Sequence, residues 1–365
     1  MPSPTAARLS PSPTGPTTEP TPEQQTGPTD RSDREASLAL PVLDDRLDAS
    51  IRARLAKVED RLEREIHSVA PFVTEAARHL LRAGGKRFRP ALVLLAAEAG
   101  DPDAEGVITA ACVVELTHLA SLYHDDVMDE AELRRGAESA NARWDNHVAI
   151  LTGDFLFSKS SELTATLGAD AVRIQAETFT KLVEGQILET VDPGPDPLAH
   201  YLRVVQGKTG SLIATSARYG ARFSGATQEV EEALTAYGER VGVAFQLSDD
   251  ILDVGSDSTV SGKTPGTDLR EGVPTLPVLM AQRMARGSTD PSDVRLLELL
   301  AGDLSDDERL AEALDLLRRH PAMDEARAYV LGIATEAQQL LTVLPDGALK
   351  DALDAFAVLI ATRSA

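Results

Sequence analysis

Three aspartates at helical spacing form the first group that could do chemistry: Asp125, Asp126 and Asp129, in the segment ELTHLASLYHDDVMDEAELRRG. On an α-helix, residues i and i+4 share a face, so Asp125 and Asp129 would project side by side with Asp126 near the edge. Carboxylates this close repel one another unless a cation lies between them. Mg²⁺ suits such oxygens, and one or two carboxylates plus substrate phosphates usually hold it. Taken alone, the group could equally be a solvated acidic helix end.

A second group repeats the spacing in GVAFQLSDDILDVGSD, where Asp249, Asp250 and Asp253 follow Gln246. We call the two groups the first and second aspartate clamps. Six carboxylates facing one cavity would raise each other's pKa values strongly without metal. Two clamps can instead hold several Mg²⁺ ions around one diphosphate and neutralise the charge that grows as it leaves. Lys263 stands in a downstream Gly- and Pro-bearing loop that is predicted to fold back over this site.

A basic segment, GGKRFRP, places Lys86, Arg87 and Arg89 next to a helix predicted to begin near Pro90. A helix N-terminus with adjacent basic residues is a natural diphosphate site. The glycines Gly84–Gly85 permit close approach of the backbone. By itself, the segment could also be an ordinary basic turn on an acidic protein.

Other basic and polar residues lie near the clamps. Arg134 and Arg135 follow the first clamp, and arginine matches diphosphate oxygens with a bidentate fork. Lys208 and Thr209 stand side by side in QGKTGSL, where a cation and a hydroxyl suit phosphate. His118 lies two turns before the first clamp on the same stripe, where a buried core histidine is the simpler alternative.

Helices must position these residues, because apolar side chains recur at three- and four-residue spacing from Leu40 onward. No convincing alternating β pattern is present. The sequence therefore predicts one all-α domain over 39–365, with loops near 193–197 and 255–274. Residues 1–38 are rich in Pro, Thr, Ser and Gly and are predicted to form a disordered tail. The predicted helical segments are 43–70, 71–83, 89–99, 105–130, 139–164, 169–190, 197–221, 227–254, 275–286, 292–319, 322–343 and 347–363.

The composition narrows the function classes. The chain has 365 residues with 36 Lys and Arg against 58 Asp and Glu, a formal charge of −22, which opposes binding to nucleic acid. The single cysteine, Cys112, permits no intrachain disulfide and is predicted to be a buried, inert thiol. No uninterrupted apolar run approaches the ~18 residues of a spanning helix, and no signal peptide is evident, so we expect a cytoplasmic protein.

The chain resembles the trans-isoprenyl diphosphate synthases, or polyprenyl synthetases, in an ordered set of motifs. In chain order these are GGKRFRP, H-x6-DDVMD-x4-RRG, GKT, FQLSDDILD and GK. These motifs span about 84–277, and the helical pattern extends the resemblance to 39–365. The resemblance implies an all-α, isoprenoid synthase-type bundle with a deep central cavity, usually as a homodimer. It implies that the six aspartates hold Mg²⁺ against an allylic diphosphate, to which isopentenyl diphosphate is added.

The resemblance also implies a role for each matching residue. The positions that match isopentenyl diphosphate binding are Lys86, Arg89, His118 and Arg135. The positions that match the allylic substrate side are Arg134, Lys208, Thr209, Gln246 and Lys263. Three of these also match residues that stabilise the carbocation: Lys208, Thr209 and Gln246.

The residues just before the first clamp bear on product length. Ser121 and Ala120, four and five positions before Asp125, are both small. In the resembling family, bulky aromatic residues at this depth close the pocket and limit the enzyme to short products, whereas small residues let the tail grow. This chain therefore looks like the long-chain members that feed quinone side chains. Farnesyl or geranylgeranyl diphosphate would be the primer, and the insoluble product makes peripheral membrane contact plausible. Because Thr117 or a facing helix could still close the cavity, a geranylgeranyl product stays open.

Two other classes compete with this interpretation. A class I terpene cyclase would pair one DDxxD clamp with a different metal motif containing Asn and Ser, whereas this chain has two DDxxD clamps. A non-catalytic partner subunit of a heteromeric synthase would lack some aspartates or basic residues, and here all are present.

Overall fold

The computed structural model describes residue 41, residues 43–255 and residues 265–363. In these parts the chain is almost entirely helical, which confirms the predicted all-α class. The helices, in chain order, are α1 (Asp45–Glu65), α2 (Pro71–Arg82), α3 (Phe88–Ala96), α4 (Glu105–Met128), α5 (Ala140–Arg143), α6 (Asn146–Thr166), α7 (Ala169–Glu189), α8 (Pro197–Val205), α9 (Ser211–Phe223), α10 (Gln228–Gly255), α11 (Thr267–Arg270), α12 (Leu276–Met284), α13 (Pro291–Leu300), α14 (Asp307–Arg319), α15 (Ala322–Leu340) and α16 (Ala348–Thr362).

Several predicted helices differ in detail from the observed ones. The segment 139–164 is broken into α5 and α6, because the Asp145 side chain accepts a hydrogen bond from the Val148 backbone N–H and starts a new helix. Asp306 likewise caps α14 and separates it from α13. The segment 197–221 contains a π-helical turn at Gln206–Gly210, which we call the KT turn. A short antiparallel hairpin, β1 (Leu133–Arg134) and β2 (Ala137–Glu138), follows the first clamp and was not predicted.

Four helices form a ring in the middle of the fold. The central helix α4 packs against α6 on one side and α9 on the other, and α7 also packs against both α6 and α9. Helices α4 and α7 therefore face each other across the ring. Outside it, α3 covers α4 and α9, while α10 packs on α9 and α15. At the α3–α9 contact, a Cβ on Gly220 would collide with the Val93 carbonyl oxygen, so glycine is needed for this close approach.

Helix α4 corrects one expectation from the sequence. Among the helices that the structure describes, α4 is the one long and apolar enough to span a membrane by length and composition, although no uninterrupted apolar run was expected to be long enough. In this fold 72% of its apolar window is buried, so α4 serves as a core helix. Its neighbours supply the apolar surroundings that its composition requires.

The predicted tail, 1–38, lies outside the described residues. The boundary between tail and domain therefore stays a prediction.

Candidate active site

The first clamp lies at the C-terminal end of α4. Asp126 is fully buried, and its Oδ1 accepts a hydrogen bond from Arg134 Nε at 2.5 Å, whereas its Oδ2 has no hydrogen-bond partner. Burial raises the pKa of Asp125 to about 6, although the Lys208 ammonium opposes the shift. Asp129 caps the helix and is exposed. The first clamp thus contains partly buried and fully buried carboxylates whose negative charge is not fully balanced by the hydrogen bonds and cations around them.

The second clamp lies near the end of α10, with Asp250 as its buried member. Asp250 accepts hydrogen bonds from the Tyr201 hydroxyl and from Gln246 Nε2, the latter at 3.3 Å. Burial raises the pKa of Asp250 to about 7, and these two hydrogen bonds oppose the shift. Tyr201, on α8, was not identified from the sequence, because no spacing links it to the clamp.

The outer aspartates of the second clamp have partners from distant parts of the chain. Asp249 pairs with Arg363 at 2.8 Å, and the Arg363 guanidinium also lies over the Phe245 ring. Asp253 accepts from the backbone N–H groups of Thr267 and Asp268, both at 3.3 Å. The first turn of α11 is therefore anchored on the second clamp. Lys263, predicted to lie in the loop before α11, is outside the described residues.

The KT turn interacts with residues of both clamps. Thr209 donates a hydrogen bond to Gln246 Oε1 at 3.3 Å, and Gln246 in turn contacts Asp250. On the other side, Lys208 pairs with Glu189 at 2.7 Å and acts electrostatically on Asp125. The KT turn is therefore hydrogen-bonded to the second clamp through Thr209 and Gln246, and its Lys208 acts on the first clamp through charge alone.

The tight geometry of the KT turn depends on α7. A Cβ on Gly185 would collide with the Lys208 backbone nitrogen, so only glycine lets α7 approach this closely. A π turn inside a longer helical stretch often occurs at functional sites, since it widens the backbone and redirects side chains. Here it presents Lys208 and Thr209 towards the clamps. Glu189, the partner of Lys208, was missed from sequence because it lies on a separate helix.

The basic segment before α3 contains one buried residue with a structural role, Arg87, and one exposed residue, Lys86. Arg87 is 7% exposed, and its guanidinium pairs with Glu59 and with Glu115, the latter at 3.0 Å. It also donates to the backbone oxygens of Leu81 and Gly84, so it locks the loop instead of facing substrate. The neighbouring Lys86 is exposed.

Arg89 lies on the site side of α3. Burial lowers its pKa to about 10, with the Glu115 carboxylate opposing and Arg135 adding to the shift, so the guanidinium stays charged at neutral pH. Its buried Nε has no hydrogen-bond partner. His118 is surrounded by the same cations: burial, and then Arg89, hold its pKa well below the ordinary value, so the imidazole is neutral.

Arg135 is held against the glycine pair. Its guanidinium donates to the Leu80 and Gly84 carbonyl oxygens, and a Cβ on Gly85 would lie 2.8 Å from its Cζ. Gly85 has φ of +142°, a conformation that favours glycine. The structure therefore gathers Arg89, His118 and Arg135 into a positive region beside the first clamp.

The residues predicted to control product length lie deeper along α4. Ala120 is fully buried, and Ser121 donates its hydroxyl hydrogen to the His118 carbonyl oxygen at 2.9 Å. Thr117, the residue that could close the cavity, is also fully buried and contacts Ser160 of α6 at 2.9 Å.

The donor set of the clamps fits a hard divalent cation. All candidate ligands are carboxylate oxygens, one of them buried without a partner, and burial raises the pKa values of Asp125 and Asp250. Within the described ranges, no three acidic, His or Cys side chains are close enough to hold one ion in common. Each ion would therefore be held by one or two carboxylates together with substrate oxygens, as Mg²⁺ prefers.

An all-α fold with two acidic helix ends and a basic turn that interacts with both is typical of enzymes that act on diphosphates with divalent metal. Residues 70–317 match the family described as Polyprenyl synthetase. The chain belongs to this family and is a prenyltransferase, which confirms the resemblance found in the sequence.

Individual relatives agree with that assignment. The chain is 50% identical to the nonaprenyl diphosphate synthase of Mycobacterium tuberculosis over 82% of this chain and 89% of that one. It is similar to the crystal structure of geranylgeranyl pyrophosphate synthase from Corynebacterium glutamicum complexed with calcium and isoprenyl diphosphate, with a TM-score of 0.79, 46% identity and coverage of 89% and 99%. The decaprenyl diphosphate synthase of Rhodobacter capsulatus gives a TM-score of 0.79 and 34% identity, with coverage of 88% and 99%.

Proposed function

We propose that this chain extends farnesyl or geranylgeranyl diphosphate with successive isopentenyl diphosphates to a long-chain all-trans polyprenyl diphosphate that supplies quinone side chains. The observation that carries the proposal is the KT turn, whose Thr209 is hydrogen-bonded to Gln246 and through it to Asp250, while the Lys208 ammonium acts electrostatically on Asp125. Relatives named for nonaprenyl and decaprenyl products support the long-chain type.

The two clamps hold Mg²⁺ in this proposal, through Asp125, Asp126, Asp129, Asp249, Asp250 and Asp253. Bound Mg²⁺ would supply positive charge to the departing diphosphate of the allylic substrate. Calcium in the related Corynebacterium structure supports a divalent cation, and the all-oxygen donor set supports Mg²⁺. Arg134 next to Asp126 and Lys208 next to Asp125 bring additional positive charge to the same diphosphate.

The remaining residues orient and stabilise the reacting groups. Lys86, Arg89 and Arg135 bind the diphosphate of isopentenyl diphosphate, and neutral His118 lies among them as a hydrogen-bonding group. The allylic C–O bond breaks and the diphosphate leaves with the electron pair. The isopentenyl double bond attacks the resulting cation, which forms a C–C bond and leaves a tertiary cation. A neighbouring C–H bond then breaks, the proton passes to the released diphosphate, and the electron pair forms the new trans double bond.

The KT turn and Gln246 stabilise the allylic cation during this step. Their contribution is electrostatic, because the Thr209 and Gln246 side-chain oxygens are fixed dipoles next to the clamps. Lys263 is assigned to the allylic diphosphate from the motif alone.

We also propose a homodimer, supported by an exposed apolar stripe on α6 and α7. Val172, Phe179, Val183 and Ile187 recur at helical spacing along one face of α7, and Leu151 of α6 is 66% exposed. Burying such a stripe against a second copy would remove it from water. Light scattering after gel filtration should give twice the chain mass. The variant Val183→Asp should shift the population towards monomer, and an unchanged dimer would reject this interface.

We also propose that the enzyme is cytoplasmic and contacts the membrane peripherally when it releases its product. The acidic net charge of −22 argues that such contact relies on the apolar product and not on anionic lipid. Co-sedimentation with neutral vesicles, before and after turnover, tests this idea. Recruitment by anionic lipid without product would contradict it.

The function is tested with the purified chain, farnesyl diphosphate, radiolabelled isopentenyl diphosphate and Mg²⁺, followed by reverse-phase sizing of the dephosphorylated products. We expect a ladder of linear prenols that requires Mg²⁺ and is lost with EDTA. The double variant Asp125→Ala/Asp249→Ala should be inactive, and its full turnover would contradict the shared clamp. A cyclised hydrocarbon would indicate a cyclase, and inactivity without a second protein would indicate a partner subunit.

A geranylgeranyl diphosphate synthase remains the second candidate. It is favoured by the 46% identity to the Corynebacterium enzyme of that name and by the contacts around Thr117. A ladder that stops at four isoprene units would decide for it.

A further inference from the structure

A single glutamine crosses the four-helix ring below the first clamp. Gln175 of α7 donates from Nε2 to Thr117 Oγ1 of α4 at 2.6 Å and to Ser160 Oγ of α6 at 3.3 Å. Thr117 and Ser160 also contact each other and both donate to the Val113 carbonyl oxygen. We call Gln175, Thr117 and Ser160 the amide bridge. It joins α4 to α7, the two helices that face each other across the ring.

The bridge lies in line with the first clamp. Asp125, Ser121 and Thr117 are spaced four residues apart on α4, so they form one ridge on the helix surface. Eight residues along a helix correspond to about 12 Å. An isoprene unit adds four carbon–carbon bonds of about 1.5 Å, hence roughly 5 Å when extended. A tail whose diphosphate is held at the first clamp would reach the bridge after two or three units.

The chemistry of the bridge is unusual for a structural contact. The Gln175 Oε1 atom is buried and has no hydrogen-bond partner. A buried, unpaired amide oxygen destabilises a fold, and most such atoms in proteins are paired. One turn further along α7, Thr178 makes an ordinary satisfied contact with Thr215 of α9 at 2.6 Å. Unlike Thr178, the Gln175 amide is therefore only half satisfied, because its nitrogen makes two hydrogen bonds and its buried oxygen makes none.

We propose that Gln175 is a specificity-determining gate for the growing tail. In its bridged position the side chain blocks the path beyond about three isoprene units. A longer tail must break its hydrogen bonds to Thr117 and Ser160 and displace it. The gate makes the steps just beyond the farnesyl primer slower than later ones. This inference rests on the proposed prenyl-extending function.

The test compares Gln175→Ala with Thr178→Val in the full-length enzyme. Both remove a buried hydrogen bond from α7, but only the first removes the bridge to α4. Each is assayed with farnesyl diphosphate and with geranylgeranyl diphosphate as primer, and products are sized by reverse-phase chromatography. For Gln175→Ala we expect the ratio of longer to four-unit products to rise by roughly threefold to tenfold, the factor that one or two ordinary hydrogen bonds provide. Thr178→Val should keep the wild-type ratio.

The outcomes separate the gate from the function. A complete absence of ladder in the wild-type chain would refute the proposed function itself. A wild-type ladder that Gln175→Ala leaves unchanged, or shortens, would refute the gate while leaving the function intact. An equal change in Thr178→Val would show that loosening of α7, and not the bridge, controls length. If Gln175→Ala does not fold, Gln175→Met keeps the side-chain length without the hydrogen bonds, and the same increase is expected.

Discussion

Replacing Arg87 by methionine should destabilise the fold strongly, although the residue lies in a segment that binds diphosphate in the resembling family. Its guanidinium pairs with Glu59 and Glu115 and closes the loop through two backbone oxygens. Glu115 is only 2% exposed, so losing Arg87 would leave a buried carboxylate without its partner. Breaking one side of a buried pair costs about 3–5 kcal/mol.

The corresponding change in melting temperature follows from the size of the domain. At about 2 cal/mol/K per residue, roughly 300 ordered residues give an unfolding entropy near 0.6 kcal/mol/K. A loss of 3–5 kcal/mol therefore lowers the melting temperature by about 5–8 °C. Differential scanning calorimetry at one fixed scan rate measures the shift, since a protein of this size can unfold irreversibly.

The matched control is Lys86→Met, one residue earlier. Because Lys86 is exposed, the melting temperature of the Lys86→Met variant should stay within about 1 °C of wild type, while its KM for isopentenyl diphosphate rises. The double variant Arg87→Met/Glu115→Gln should recover part of the lost stability, because the stranded charge is gone. A melting temperature of Arg87→Met equal to that of Lys86→Met would refute the reasoning.

Three further outcomes test other parts of the structure. Ala120→Phe should shorten the product ladder, since Ala120 is fully buried below the first clamp; unchanged product lengths by reverse-phase sizing would mean that it does not line the tail's path. Gly185→Ala should reduce kcat far more than it changes far-UV dichroism, because the added Cβ displaces the Lys208 backbone; wild-type turnover would contradict this. Burial raises the pKa of the Cys112 thiol to about 12, so iodoacetamide at pH 8 should label only unfolded protein. Rapid labelling of native protein would contradict this burial. The raised thiol pKa does not change the free energy of unfolding below pH about 8.5, the ordinary thiol pKa, but that free energy falls as the pH rises further, because the thiol ionises first in the unfolded chain.

Much of the fold could be predicted because helical periodicity is a local property. The spacing of apolar residues gave most helices within a few residues, and the i, i+4 spacing placed the aspartates of each clamp on one helix face. The breaks at Asp145 and Asp306 were missed, since an aspartate inside an otherwise helical pattern becomes a cap only when the chain turns there. The small hairpin after the first clamp was missed for a similar reason: two-residue strands carry no alternating pattern.

The sequence by itself determined the chemistry: two acidic clamps, a basic segment and a KT pair at fixed places along the chain. Only the tertiary structure decided which of these side chains remain available to a substrate. Arg87 is occupied by Glu59 and Glu115, and Asp249 is paired with an arginine more than a hundred residues away. Gln175 likewise gained its place in the ring through Thr117 and Ser160. Local spacing fixes which groups share a helix face, but burial and charge pairing depend on helices that meet only when the chain is folded.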